Sequence, residues 1–179
     1  MGSLDELYRE RLETPSTWWW NGKNLLLATE PLVARWVVAD DASGHALWIA
    51  ARTTGPLLHI RACAIECFLK AIRVEQGAIK AKGSRYSGPL HDLLKIAKAA
   101  AVPTDTRVEE MLAELTTWYE MGRYPIGRTV ASTFGLTSWN PGSEREGVFR
   151  AFVAQLMTHH DARLSRQDKS GIAPRACNL

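Results

Sequence analysis

The chain is 179 residues long, 46% hydrophobic and 23% charged, with a formal net charge of +3. That length supports one well-cored domain, and the composition excludes a fibrous or low-complexity protein. A charge this small does not by itself argue for nucleic acid, no apolar run is long enough to span a membrane, and no basic leader followed by an apolar stretch marks a secretory signal.

The cysteines are Cys63, Cys67 and Cys177. Cys63 and Cys67 fall on adjacent turns of one helix, a poor geometry for a structural disulfide. No second Cys/His pair stands at zinc-finger spacing. Reduced thiols, a cytoplasmic location and no metal or other cofactor are expected.

In chain order, Leu4 to Leu12 reads as one or two charged helical turns, broken by Thr14-Pro15-Ser16. Trp18-Trp19-Trp20 follows, ending on Asn21-Gly22, a dipeptide that predicts a turn. Three adjacent indoles cannot all point one way, so at least one covers a core edge or a partner. Pro31 suits the first turn of a helix from Glu30 to Ala39. Asp40-Asp41-Ala42-Ser43-Gly44 reads as a linker and cap, leading to a helix from Ser43 to Thr53. Gly55-Pro56 then separates that helix from a longer one, Leu57 to Gln76, stopped by Gly77. This central helix is apolar around most of its circumference and should be buried on several sides. His59, Cys63, Glu66, Lys70 and Arg73 recur on it at steps of four and three, forming one narrow polar stripe.

Residues 78–89 form a basic loop containing Lys80, Lys82 and Arg85, with no Walker spacing. A helix from Leu90 to Ala101 turns Leu90, Leu93, Leu94 and Ala97 inward. Thr106-Arg107-Val108-Glu109 is a capping box for a helix reaching Met121, with Val108, Leu112, Leu115 and Tyr119 on its core side. Ile126 to Gly142 reads as a long loop. A last helix, Glu144 to Ser165, buries Val148, Phe149, Phe152, Val153 and Leu156. No strand pair is expected. The fold class is all-α, an antiparallel up-and-down bundle of about five main helices. Residues 1–40 are an N-terminal extension packing on the bundle, 41–167 the bundle itself, and 168–179 a polar tail.

The five histidines form no His-Glu-x-x-His motif and no paired Glu-x-x-His motifs, and there is no Gly-x-Ser-x-Gly elbow. What remains is the polar stripe, His91-Asp92 at a helix start, and Arg123-Tyr124 just past a helix end. Helix N-termini favour anions and C-termini favour cations, which accounts for Asp92 and Arg123 without a ligand.

Ala64-Ile65-Glu66-Cys67-Phe68-Leu69-Lys70, a basic loop, His91-Asp92-Leu93-Leu94, then Tyr119 and Arg123-Tyr124-Pro125 together resemble the HEPN family. Those are small all-α proteins related to the partner subunits of minimal nucleotidyltransferases. The resemblance covers Leu57 to Pro125. It implies a helical bundle that forms a homodimer and binds nucleotide or RNA through Glu66, Lys70, Arg73, His91, Asp92, Arg123 and Tyr124. Many members are metal-independent RNases with an Arg-x4–6-His motif. Here no His follows Arg123 before His159, and Arg52 and His59 fit the spacing only across Gly55-Pro56. The resemblance therefore implies binding without the usual RNase activity. The alternatives are a structural or antitoxin-like partner of another protein, and an RNase with an altered site.

Overall fold

The computed structural model describes residues 6, 10–38, 44–78, 81–82, 85–86, 92–123, 139 and 142–169, with side chains described at 6, 10–34, 53–78, 92–120, 139 and 142–162. The long helical segments of this part of the chain are α1 (Pro15–Val38), α2 (Gly44–Glu75), α4 (Thr106–Arg123) and α5 (Glu144–Lys169), with the shorter α3 (Leu93–Ala99) between α2 and α4. The fold is all-α apart from a two-rung antiparallel ladder, Ala81 opposite Tyr86 and Lys82 opposite Arg85. No strand pair was expected there. Strands of only two residues are too short to show an alternating pattern in the sequence.

α1 is one helix where the sequence suggested a turn at Asn21-Gly22 and a separate helix starting near Glu30. Pro15, the residue read as a breaker, is its first residue, where a missing N–H costs nothing. Gly22 is not a turn residue. It is buried against Phe68 of α2, and a Cβ placed on it would lie 2.6 Å from Phe68 Cδ1. α2 likewise runs unbroken for 32 residues through Gly55 and Pro56, which the sequence assigned to a separator. Pro31 and Pro56 are both exposed. At each, one intrahelical bond is lost on the solvent side, where water can take the freed carbonyl. Packing between α1 and α2 outweighs these two local penalties.

The contacts fix the directions. Trp19 near the start of α1 meets Phe68 and Glu75 near the end of α2, so the two are antiparallel. α5 runs alongside α2 in the same direction: Glu146 meets Arg61, and His159 lies beside Glu75. α4 opposes α5, with Arg145 by Glu110 and Gln155 bonded to the carbonyl of Pro103. The result is a helical bundle with α2 at its centre. Leu58, Ile65, Leu69 and Ile72 of α2 are fully buried against Leu93 and Ile96, Met111, Leu112 and Leu115, and Phe152 and Leu156. Each such side chain contributes about 1.5–3 kcal/mol of apolar transfer energy. Trp19 belongs to this same core, so the N-terminal segment is part of the hydrophobic centre. No described helix is long and apolar enough to cross a membrane.

The starts of α3, α4 and α5 are capped by side chains. Ser143 Oγ accepts from the Glu146 N–H at the head of α5. At α4 the cap is Asp105, one residue before the expected Thr106: its Oδ1 accepts from the Val108 N–H at 2.9 Å. Glu109 does not reach back as in a capping box but bonds to Thr104 and Lys98. An ionised carboxylate is the stronger acceptor and also suits the positive end of the helix, so it takes the position.

Candidate functional site

The stripe read from the sequence is present on α2, and its members have different surroundings. Glu66 and Lys70 are 5% and 7% exposed, and Lys70 Nζ stands 2.5 Å from Glu66 Oε1. Spacing of four on one helix brings them together. Lys70 Nζ also lies 5.0 Å from the centre of the Trp18 ring, within cation–π range. One turn back, Cys63 Sγ is 3.7 Å from His59 Nε2. The His59 ring stacks on Tyr119 of α4, with centroids 5.5 Å apart, and its Nδ1 is buried with no hydrogen-bond partner among the described residues. At Cys67, just off the stripe, burial first, then the neighbouring Glu66 carboxylate, push the thiol up to about 12.

Arg73 ends the stripe. Its Nε and Nη1 are buried and find no hydrogen-bond acceptor among the described residues. A guanidinium stays charged in any protein environment, so N–H groups removed from water without acceptors are costly. Among the described side chains of α2, that makes Arg73 the group best suited to take an anion.

Asp92 has a separate role. It caps α3, Oδ1 accepting from the Lys95 N–H at 3.0 Å while Oδ2 pairs with Lys95 Nζ at 2.9 Å. Burial pushes its carboxyl up, but the bonds from Lys95 outweigh this and leave it below its ordinary value of 3.8. No described contact joins Asp92 to Glu66, Lys70 or Arg73. A carboxyl with a lowered folded pKa stabilises fully above its unfolded value, and this is lost as pH falls through the folded one. Asp92→Ala is therefore expected to cost about 1 kcal/mol at neutral pH. The difference from wild type in urea midpoint should shrink on acidification below pH 3.8. Arg123 is the last residue of α4. Its side chain, together with His91 and Tyr124, lies outside the described residues.

The continuity of α2 changes how Arg52 and His59 relate. The sequence put a break between them; both sit on one helix, seven residues and close to two turns apart.

Two buried polar clusters were not anticipated. Arg61, on the side of α2 away from the stripe, pairs bidentately with Glu146 of α5: Nη1 to Oε2 at 2.5 Å and Nη2 to Oε1 at 3.1 Å. Both residues are nearly inaccessible, and the guanidinium carbon sits 4.5 Å from the centre of the Phe149 ring. The available signal was an arginine alone in an apolar arc, which requires a buried counter-charge. In the second cluster, Trp19 Nε1 donates to Glu75 Oε1 at 2.7 Å, and the indole stacks on His160 with centroids 4.4 Å apart. Of the three adjacent indoles, Trp19 is buried, Trp18 half-buried and Trp20 exposed. No group of His, Cys, Asp and Glu among the described residues could hold a metal ion. Compared with family models, curated proteins and solved structures, the chain matches none.

Proposed function

We propose that the chain is a HEPN-like helical protein that binds the phosphate of a nucleotide or RNA on the polar side of α2, as a homodimer and without the usual RNase activity. The observation that carries this reading is Arg73, whose buried Nε and Nη1 lack acceptors among the described residues, one turn beyond the buried Glu66–Lys70 pair. A phosphate offers the geometry a guanidinium fork accepts bidentately. Arg73 is the primary contact in this reading. Glu66 fixes the position of Lys70, and Trp18 provides an apolar wall beside it.

Titration of the full chain with mononucleotides and short RNAs at low salt tests this reading. Arg73→Met is expected to weaken binding by about tenfold or more, the loss of charge-assisted hydrogen bonds. The same variant should be as stable as wild type, or more stable, in urea without ligand, because it removes N–H groups that lack partners. A purely structural arginine would lose stability instead. Absence of nucleotide and RNA binding by the wild type, or equal affinity of the variant, refutes the proposal.

One observation favours a metal-independent RNase as the second reading: α2 carries Arg52 and His59 in a single helix, with His59 stacked on Tyr119. In this reading His59 moves the proton. Incubating the same RNAs in EDTA separates the two. Cleavage by wild type that is lost in His59→Ala supports the RNase, and intact RNA in both supports binding alone.

A further inference from the structure

α1 turns a row of residues to solvent at steps of three and four: Trp20, Lys23, Leu27, Glu30, Pro31 and Ala34. Trp20 is 66% and Leu27 58% exposed, and these are the large hydrophobic side chains left exposed among the described residues. Single exposed apolar residues are ordinary. Here, however, Trp20, Leu27, Pro31 and Ala34 share one narrow arc, with Lys23 and Glu30 along the same edge of it. Neither Lys23 nor Glu30 has an ion-pair partner among the described residues.

That edge is complementary to itself. When two copies of one helix meet antiparallel about a twofold axis, residues on the same edge face each other in reverse order. An axis beside Leu27 sets Lys23 against the second copy's Glu30, and Glu30 against its Lys23. Leu27 then packs on its own copy, and Trp20 lies over the second copy's Pro31 and Ala34, large against small. A parallel pairing would bring like charges level with each other, so the charges select the antiparallel arrangement. We propose that α1 is a self-association face on which a second copy of this chain pairs antiparallel, with the twofold axis near Leu27. The inference names the face for the dimer in the preceding reading. It does not depend on a nucleotide or RNA ligand.

The test is sedimentation velocity of the full chain over a concentration range at low salt. Wild type is expected to show a concentration-dependent dimer. Lys23→Glu and Glu30→Lys should each raise the dimer Kd by about tenfold or more, since each places like charges opposite one another twice. The double variant Lys23→Glu/Glu30→Lys should return to the wild-type value, because reversed charges still pair. Leu27→Asp should leave only monomer, with the helical circular dichroism of wild type as the control for folding. Monomer at every concentration overturns the proposal. So does a dimer indifferent to the single reversals, or a double variant no tighter than the singles. Nucleotide titration of the Leu27→Asp monomer shows separately whether the ligand reading stands.

Discussion

Glu146→Gln is expected to lower the unfolding free energy by about 3–4 kcal/mol, read as a shift of the urea midpoint at neutral pH. The carboxylate it removes is 3% exposed and neutralises Arg61, itself 4% exposed. Gln keeps the shape and one acceptor but not the charge, so a buried guanidinium is left uncompensated. Arg150 also contacts Glu146, with Nε 2.8 Å from Oε1, but its own side chain is 66% exposed and the released cation returns to water at little cost. The loss should therefore come almost wholly from Arg61. The double variant Arg61→Met/Glu146→Leu is expected to recover most of it, because an apolar pair of similar volume suits the ring of Phe149 and needs no desolvation of charge. A loss below about 1 kcal/mol in the single variant would mean that the pair is solvated and adds little.

Gly22→Ala should destabilise by about 1–3 kcal/mol, against the direction that helix propensity alone predicts. In an exposed helix interior Ala is better than Gly by about 1 kcal/mol. Here the new methyl overlaps the Phe68 ring, lying 2.6 Å from Cδ1 and 2.9 Å from Cζ. That ring is 0% exposed and packs against Trp19 with centroids 5.3 Å apart, so it has no free space into which to swing. Overpacking outweighs the propensity gain. Phe68→Leu vacates part of the volume, so Gly22→Ala should cost much less in that background. A double-mutant cycle by chemical denaturation measures the coupling. Additive effects would show that α1 and α2 do not meet at this point.

The elements that could be read from the sequence were those whose signal is periodic. The buried faces of α4 and α5 follow from apolar spacing, with Leu112, Leu115 and Tyr119 on one and Phe149, Phe152 and Leu156 on the other. The polar stripe followed in the same way, since a step of four on a helix forces Glu66 and Lys70 together wherever that helix packs. The breaks could not be read. Asn21-Gly22 and Gly55-Pro56 carry the local chemistry of turns, yet both lie inside helices. A local rule weighs only a dipeptide's own preference, worth a few kcal/mol at most. Long helices packed side by side gain that much from a handful of buried side chains.

Arg61 shows the same division at the site. Its place on an apolar arc could be derived from residue numbers, but its partner lies 85 positions away and emerges only once α5 is laid alongside α2. Asp92 was assigned to a ligand site, and its observed contacts are those of a cap on α3. By itself the sequence determined the helical class, the central amphipathic helix and the pairing of Glu66 with Lys70, because these depend on intervals shorter than three turns. The tertiary structure alone decided that helix runs through both expected breaks, Asn21-Gly22 and Gly55-Pro56, that Gly22 is a contact residue, and which buried charges neutralise each other. Those outcomes depend on which surfaces meet, and the free energy of that meeting exceeds the local preferences it overrides.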